Sequence, residues 1–281
     1  MPGICNEEFM ETIITIIVDN KSMDSLSGEW GLSILVQYAG KKILLDAGAS
    51  NLFLENLNSL GFDVADIDYA VLSHAHYDHA NGMPAFFENN KTAKLYVRDH
   101  TAANCYAKKS FFRKYIGIPK KMLKKYSDRI EMVSGDHKLM DGVWLIPHKT
   151  DGLESIGLRE LMYRKTPGGW IPDDFSHEQS LVLDTDKGLI ILNSCSHGGT
   201  ANIIEEVKAT FPDKKVYGLI GGFHLFNKSE SEIREAAGRI RATGIEYICT
   251  GHCTKDRAFG LLKDELGDMV NQMRVGYRIA I

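Results

Sequence analysis

Just past the apolar segment Tyr69–Leu72 the chain runs Ser73-His74-Ala75-His76-Tyr77-Asp78-His79-Ala80-Asn81-Gly82, placing three of its ten histidines and an aspartate within six positions. A turn leaving a strand aims alternate side chains to one side, so His74 and His76 point the same way. Asp78 and His79 then open the following helix. Neutral imidazole and carboxylate are the ligands of Zn²⁺ and of harder divalent ions such as Mn²⁺ or Fe²⁺. Chance clustering of surface histidines is a poor account of three in one short turn. One turn cannot ligate two metals alone, so the fold must bring other strand ends to the same place.

Three further histidines stand where such ends are expected. His197 follows the strand-like Leu189–Leu192, His224 follows Lys215–Ile220, and His252 follows Glu246–Thr250. Open α/β sheets place ligands at the carboxyl ends of their strands. A single histidine there is more often an ordinary polar residue; three of them beside the His74–His79 turn form a set. His177 and Glu178 lie in a loop entering the strand Leu181–Leu183 and are candidates for lining a pocket. Cys195 and Cys253 flank candidate ligands, and thiolate is a soft zinc ligand. As small buried residues they are expected to point into the sheet layers. His100, His137 and His148 have no partner pattern.

The rest of the chain alternates strand and helix patterns. Thr12–Val18, Leu32–Tyr38, Lys42–Leu45, Leu95–Val97, Ile130–Val133 and Val143–Ile146 read as strands of the first half. A helix from Ser50 to about Leu60 closes at Gly61. In the second half Leu181–Leu183 and Leu189–Leu192 form a hairpin. Helices are expected over Thr200–Thr210, from the Ser229–Glu232 capping box to Ala242, and over Lys255–Leu266, with Val275–Ile281 as a last strand. Two similar halves predict an α/β, four-layer αββα sandwich, two mixed sheets face to face with helices outside. No linker or low-complexity tract divides the chain, so residues 1–281 are expected to form one domain.

Composition narrows the function classes. At 44% hydrophobic and 25% charged residues the chain is of ordinary globular make-up, which excludes disorder, collagen and coiled coil. No apolar run reaches the roughly 18 residues of a spanning helix. Met1–Met10 shows no basic start and no cleavable apolar core, so no secretory leader and a cytoplasmic location are expected. Five cysteines spread over 281 residues do not make a disulfide framework. Between Arg98 and Arg129 ten lysines and arginines face two aspartates, an excess of +8 that leaves −12 on the rest of a chain of net charge −4. That stretch is expected as a basic helical insertion at about 98–129, either a solvated helix pair or a flap that steers an anionic substrate. No nucleic-acid motif accompanies it. Gly198-Gly199-Thr200 before a helix could offer backbone N–H groups to a phosphate, without the lysine of a P-loop.

The pattern His-x-His-x-Asp-His at His74, His76, Asp78 and His79 resembles the signature of the metallo-β-lactamase fold. Asp46, in Leu44-Leu45-Asp46-Ala47-Gly48, matches the upstream aspartate that supports the ligand turn from behind. Glu29-Trp30-Gly31-Leu32-Ser33, Cys195-Ser196-His197, Gly221-Gly222-Phe223-His224-Leu225 and Gly251-His252-Cys253-Thr254 are similar to the branch containing dihydropterin–ribofuranosylaminobenzene phosphate synthase. The likeness runs from about Thr12 to Ile281. It implies a first metal held by His74, His76 and His197 and a second by Asp78, His79 and His252. His224 takes the slot where the superfamily usually has a bridging aspartate; it is expected as a metal ligand, with a substrate contact as the alternative. Asn193 and Lys255 replace small residues of that branch, and Lys255 joins His177 and Glu178 at the expected pocket edge.

The expectation is a hydrolase with two divalent metals, zinc first and manganese or iron as alternatives. It would act on a small anionic, phosphorylated ester through a metal-bound hydroxide that Asp78 orients. The alternative is a transferase of the synthase type that releases diphosphate. A diiron oxidoreductase ranks lower, because those sites carry Glu where His76 stands; a non-catalytic metal or ligand sensor also ranks low. No nucleic-acid or membrane partner is expected, and a homo-oligomer is compatible with the sequence.

Overall fold

A computed structural model describes residues 11–23 and 25–281; Met1–Met10, on which the leader reading rests, lie outside the described residues. The first sheet orders its strands Arg278–Ala280, Ile13–Val18, Ser33–Tyr38, Lys41–Leu45, Tyr69–Val71, Lys94–Arg98 and Ile130–Val133. Its early strands pair antiparallel and the last four run parallel. The second sheet orders Val270–Gln272, Tyr247–Thr250, Val216–Gly221, Gly188–Leu192, Gln179–Thr185, Val143–Pro147 and His137–Met140. Here the first four are parallel and the rest antiparallel.

Both sheets are mixed, and side-chain alternation shows how they stack. Ile34 and Val36 of one strand and Ile43 and Leu45 of the next meet Leu145, Leu181, Leu183, Ile190 and Leu192 of the other sheet. Leu35 and Leu44 point the opposite way, onto Phe53, Leu57, Met83 and Phe86 of the helices outside. On the far side Ile191, Leu219 and Ile248 pack beneath Ile203, Ile233 and Leu262 of three more helices. Strands buried on both faces favour apolar residues at nearly every position, which is why Ile13–Val18 is apolar except for the buried Thr15. The result is the expected αββα sandwich. Among the described residues no helix is long and apolar enough to cross a membrane.

The basic segment departs from expectation. Instead of a helix pair it forms the hairpin Cys105–Lys109 and Phe112–Tyr115, with helix only at Met122–Lys125 and a 3₁₀ turn at Ser127–Arg129. The hairpin extends a small third sheet with Met162–Thr166 and Gly169–Pro172. Cross-strand aromatics decide this. The Tyr106 ring meets Tyr115 at 5.2 Å and Trp170 at 4.8 Å, and the Arg113 guanidinium lies 4.6 Å from the Trp170 ring. Lysine stems can cover such surfaces as readily on a strand as on a helix, so charge counting alone did not distinguish the two. The expected strand Val275–Ile281 is shorter, Arg278–Ala280, and Val270–Gln272 is an additional strand.

Candidate metal centre

Parallel strands of both sheets end on one side of the sandwich. Leu45 leads to Asp46, Val71 to the His74–His79 turn, Leu192 to His197, Gly221 to His224 and Thr250 to His252. Asp46, Ser196, His224 and His252 all have positive φ, between +47° and +61°. For residues with a Cβ this costs of order 1–3 kcal/mol each and is kept where the surroundings over-determine it. The turn itself is pinned at Gly82, where an added Cβ would lie 2.1 Å from the Ala47 carbonyl oxygen.

Asp46 is the hub beneath this floor. Its carboxylate accepts from the Ser73 N–H at 2.7 Å, from the Ser73 and Ser194 hydroxyls at 2.6 Å, and pairs with His79 Nδ1 at 2.8 Å. Nδ1 of His79 is thereby committed and Nε2 turns outward. Ser73 Oγ, 2.8 Å from His74 Nδ1, does the same for His74.

Behind His197 stands Glu178. It accepts from the His197 N–H at 3.2 Å, pairs with its Nδ1, and meets His148 Nε2 at 3.0 Å. His148 Nδ1 in turn lies 3.2 Å from Glu206. His177 accepts the Ala75 N–H on Nδ1 at 3.1 Å and pairs through Nε2 with Asp173 at 3.2 Å. His177 and Glu178 are both 1% exposed, so neither lines the pocket edge as expected; they brace the ligand loops from inside. Lys255 is exposed beside Trp30, its Nζ 4.9 Å from the ring, in a cavity of about 620 Å³ that borders His252, Trp30 and Phe226. Asn193 is buried, bonding Ser180 and the Ser196 N–H.

The ligand atoms of His74, His76 and His197 lie within 4.8 Å of one another. Asp78 Oδ2 is 3.5 Å from His252 Nε2 and 3.9 Å from His79 Nε2. His224 joins His197 and Cys195 in a further group of that size. The seven expected ligands are therefore brought together. The buried Nε2 atoms of His74 and His76, and both ring nitrogens of His224 and His252, have no hydrogen-bond partner among the described residues. Buried polar atoms left so are rare, and convergent imidazole lone pairs fit a divalent metal.

Electrostatics agree with this donor set at three of its imidazoles, while at His79 a metal would have to displace a proton. Burial, reinforced by the neighbouring imidazoles, holds His74, His76 and His252 well below the ordinary histidine range, so their rings are neutral. Burial acts the same way on His79, but the Asp78 and Asp46 carboxylates outweigh it and raise that ring to about 9. Burial opposes charge on Glu178 too, yet His197 and His148 keep its carboxyl well below the usual range.

A cavity of about 200 Å³ opens over these residues, walled by Trp30, Phe226 and Met162, with Asp78 its one carboxylate among the described residues. Lys109 and Lys114 of the hairpin reach into it. Backbone pairing of Tyr77 N–H with the Ile116 carbonyl, at 2.8 Å, ties that hairpin to the ligand turn.

Residues 31–205 match the metallo-beta-lactamase superfamily. Over 260 residues, 88% of each chain, this protein is 28% identical to 7,8-dihydropterin-6-methyl-4-(beta-D-ribofuranosyl)-aminobenzene-5'-phosphate synthase of Methanocaldococcus jannaschii. A solved metal-dependent hydrolase of the beta-lactamase superfamily aligns with a TM-score of 0.82 and 25% identity, over 96% of this chain and 99% of that one. A diphosphatase of the PhnP family shares the fold at a TM-score of 0.56 and 14% identity, over 96% and 98% of the two chains. Since the matched stretch carries both the His74–His79 turn and His197, the chain belongs to the metallo-beta-lactamase superfamily.

Proposed function

We propose that the protein is a metal-dependent hydrolase of a small anionic, phosphorylated ester. The observation that carries this reading is a histidine-walled cavity that Lys109 and Lys114 enter from above. His74, His76 and His197 would hold one divalent ion and Asp78, His79 and His252 a second, with zinc suited to so many imidazoles. Bound there, such ions lower the pKa of water to about 7 and neutralise charge on a leaving oxygen.

The chain's own residues supply the rest. Lys109 and Lys114 bind the phosphoryl oxygens as paired positive charges. Trp30, Phe226 and Met162 take the apolar part of the substrate and keep bulk water away. Asp78 orients the attacking water and accepts its proton. One water is consumed, one P–O ester bond breaks, and the proton ends on the leaving alcohol. His224, expected as a metal ligand, is assigned instead to the substrate: both ions already have their donors without it, and its unpartnered ring nitrogens lie beside His197 on the cavity wall.

A synthase reading is favoured by the 28% identity to the methanogen enzyme over 88% of both chains. In that reading an aromatic acceptor would replace water and diphosphate would leave. One experiment separates the two. Purified protein is assayed for metal and screened against phosphomonoesters, phosphodiesters, lactones and thioesters, and phosphate and diphosphate release are followed with and without an aromatic acceptor. Acceptor-independent phosphoester cleavage is expected, with about two metal equivalents. His74→Ala/His76→Ala should lose one equivalent and the activity, while His224→Ala should keep both metals and lose kcat/KM. Release only when acceptor is present would overturn hydrolysis in favour of transfer.

A further inference from the structure

Cys195, read from sequence as a small residue facing the sheet layers, points instead at the imidazoles. Its Sγ lies 3.3 Å from His79 Nε2. It also falls in separate groups, each within 4.8 Å, with His74 and His79, with His197 and His224, and with His252 and Cys253. Sulfur and nitrogen bound to one tetrahedral zinc, at about 2.3 and 2.0 Å, sit roughly 3.5 Å apart, so the observed spacing, here a hydrogen bond, also suits two ligands of one ion. We infer that Cys195 Sγ is a ligand of the second metal, completing the set Asp78, His79 and His252 with a thiolate. The inference rests on the metal-centre reading above and refines it.

Cys253 is near but differently engaged. Its Sγ lies 3.5 Å from that of Cys195 and accepts the backbone N–H of His224 at 3.2 Å. It also fills the space that Gly222 leaves, where an added Cβ would stand 2.5 Å from the sulfur. Cys253 also borders the cavity, but its sulfur is already taken up by a backbone donor, so it supports Cys195. The chemical consequence is selectivity: a thiolate favours zinc over the hard ions manganese and magnesium at this position. It also closes the second site with four protein ligands and leaves the first, with three histidines, as the open one.

The test is a titration of the metal-free, full-length protein with Co²⁺, read by absorption. Wild type should develop visible d–d bands and, with the second equivalent, a near-ultraviolet thiolate-to-cobalt charge-transfer band. Cys253→Ser should keep that band. Cys195→Ser should lose it, keep the first equivalent, and bind the second at least tenfold more weakly. Cobalt bound at two equivalents without the band in wild type would overturn the inference and leave the metal centre standing. A band that survives in Cys195→Ser, or vanishes only in Cys253→Ser, would overturn it as well. Failure to bind any cobalt would overturn the metal-centre reading together with it. Should Cys195→Ser not fold, X-ray absorption of zinc-loaded wild type and Cys253→Ser decides: a sulfur shell at about 2.3 Å in both supports Cys195, and its absence from either refutes it.

Discussion

Glu178 is enclosed by protein and still ionised, because His197 and His148 face its two oxygens. A carboxylate behind an imidazole fixes the tautomer and raises the basicity of the outer nitrogen, and removing such a partner costs 10–100-fold in metal affinity. Glu178→Gln keeps the shape and removes the charge. First-site affinity should fall within about that range while the far-ultraviolet circular dichroism stays unchanged, measured by competition with a chromophoric chelator. Unaltered affinity would reduce Glu178 to a packing residue. Asp46 does the same work for His79 and also ties down Ser73 and Ser194, so three loops share one buried carboxylate.

At the scale of elements, the hairpin Cys105–Lys109 and Phe112–Tyr115 separates two groups of lysines that are indistinguishable in the sequence. Lys109 and Lys114 line the cavity. Lys120 instead lies over the Tyr115 ring, and Lys125 pairs with Glu88 at 3.3 Å. Charge acts on an anionic substrate mainly within about a Debye length, about 10 Å at 0.1 M salt. Lys109→Glu/Lys114→Glu should therefore raise KM about tenfold or more at low salt, with the effect shrinking as salt is added. Reversal of Lys120, Lys121, Lys124 and Lys125 should move KM far less. Equal effects of the two sets would mean that the segment acts only through its total charge.

Across the whole molecule, His148 links the second sheet to the helix Thr200–Thr210 by standing between Glu178 and Glu206 at 3.0 and 3.2 Å. Burial disfavours its charge, but the two carboxylates prevail and raise it to about 10. A histidine raised in the folded state stabilises below its unfolded value of about 6.5, and that contribution is lost as pH rises through the folded value. The urea midpoint of the metal-free protein should accordingly fall between about pH 6.5 and 10, and His148→Gln should flatten the decline. An equally steep decline in the variant would place its origin elsewhere.

What the sequence determined by itself is whatever neighbours along the chain decide. The helices Thr200–Thr210 and Lys255–Leu266 fall where periodicity sets them, and Glu230–Ala242 where the Ser229–Glu232 box starts it. The His74–His79 turn and the strand-end positions of His197, His224 and His252 were legible because a ligand turn is a local pattern and strand ends are marked by Gly and Ser. Tertiary structure alone decided which side of a residue matters. Glu178 meets His148 across 30 positions and Cys195 meets His79 across 116; no spacing rule connects them. His177 and Glu178 turned inward rather than to the pocket because the loops they brace carry backbone N–H groups and imidazole nitrogens that need buried partners. The basic segment became sheet because its aromatics found Trp170, a residue distant in sequence and adjacent only after folding.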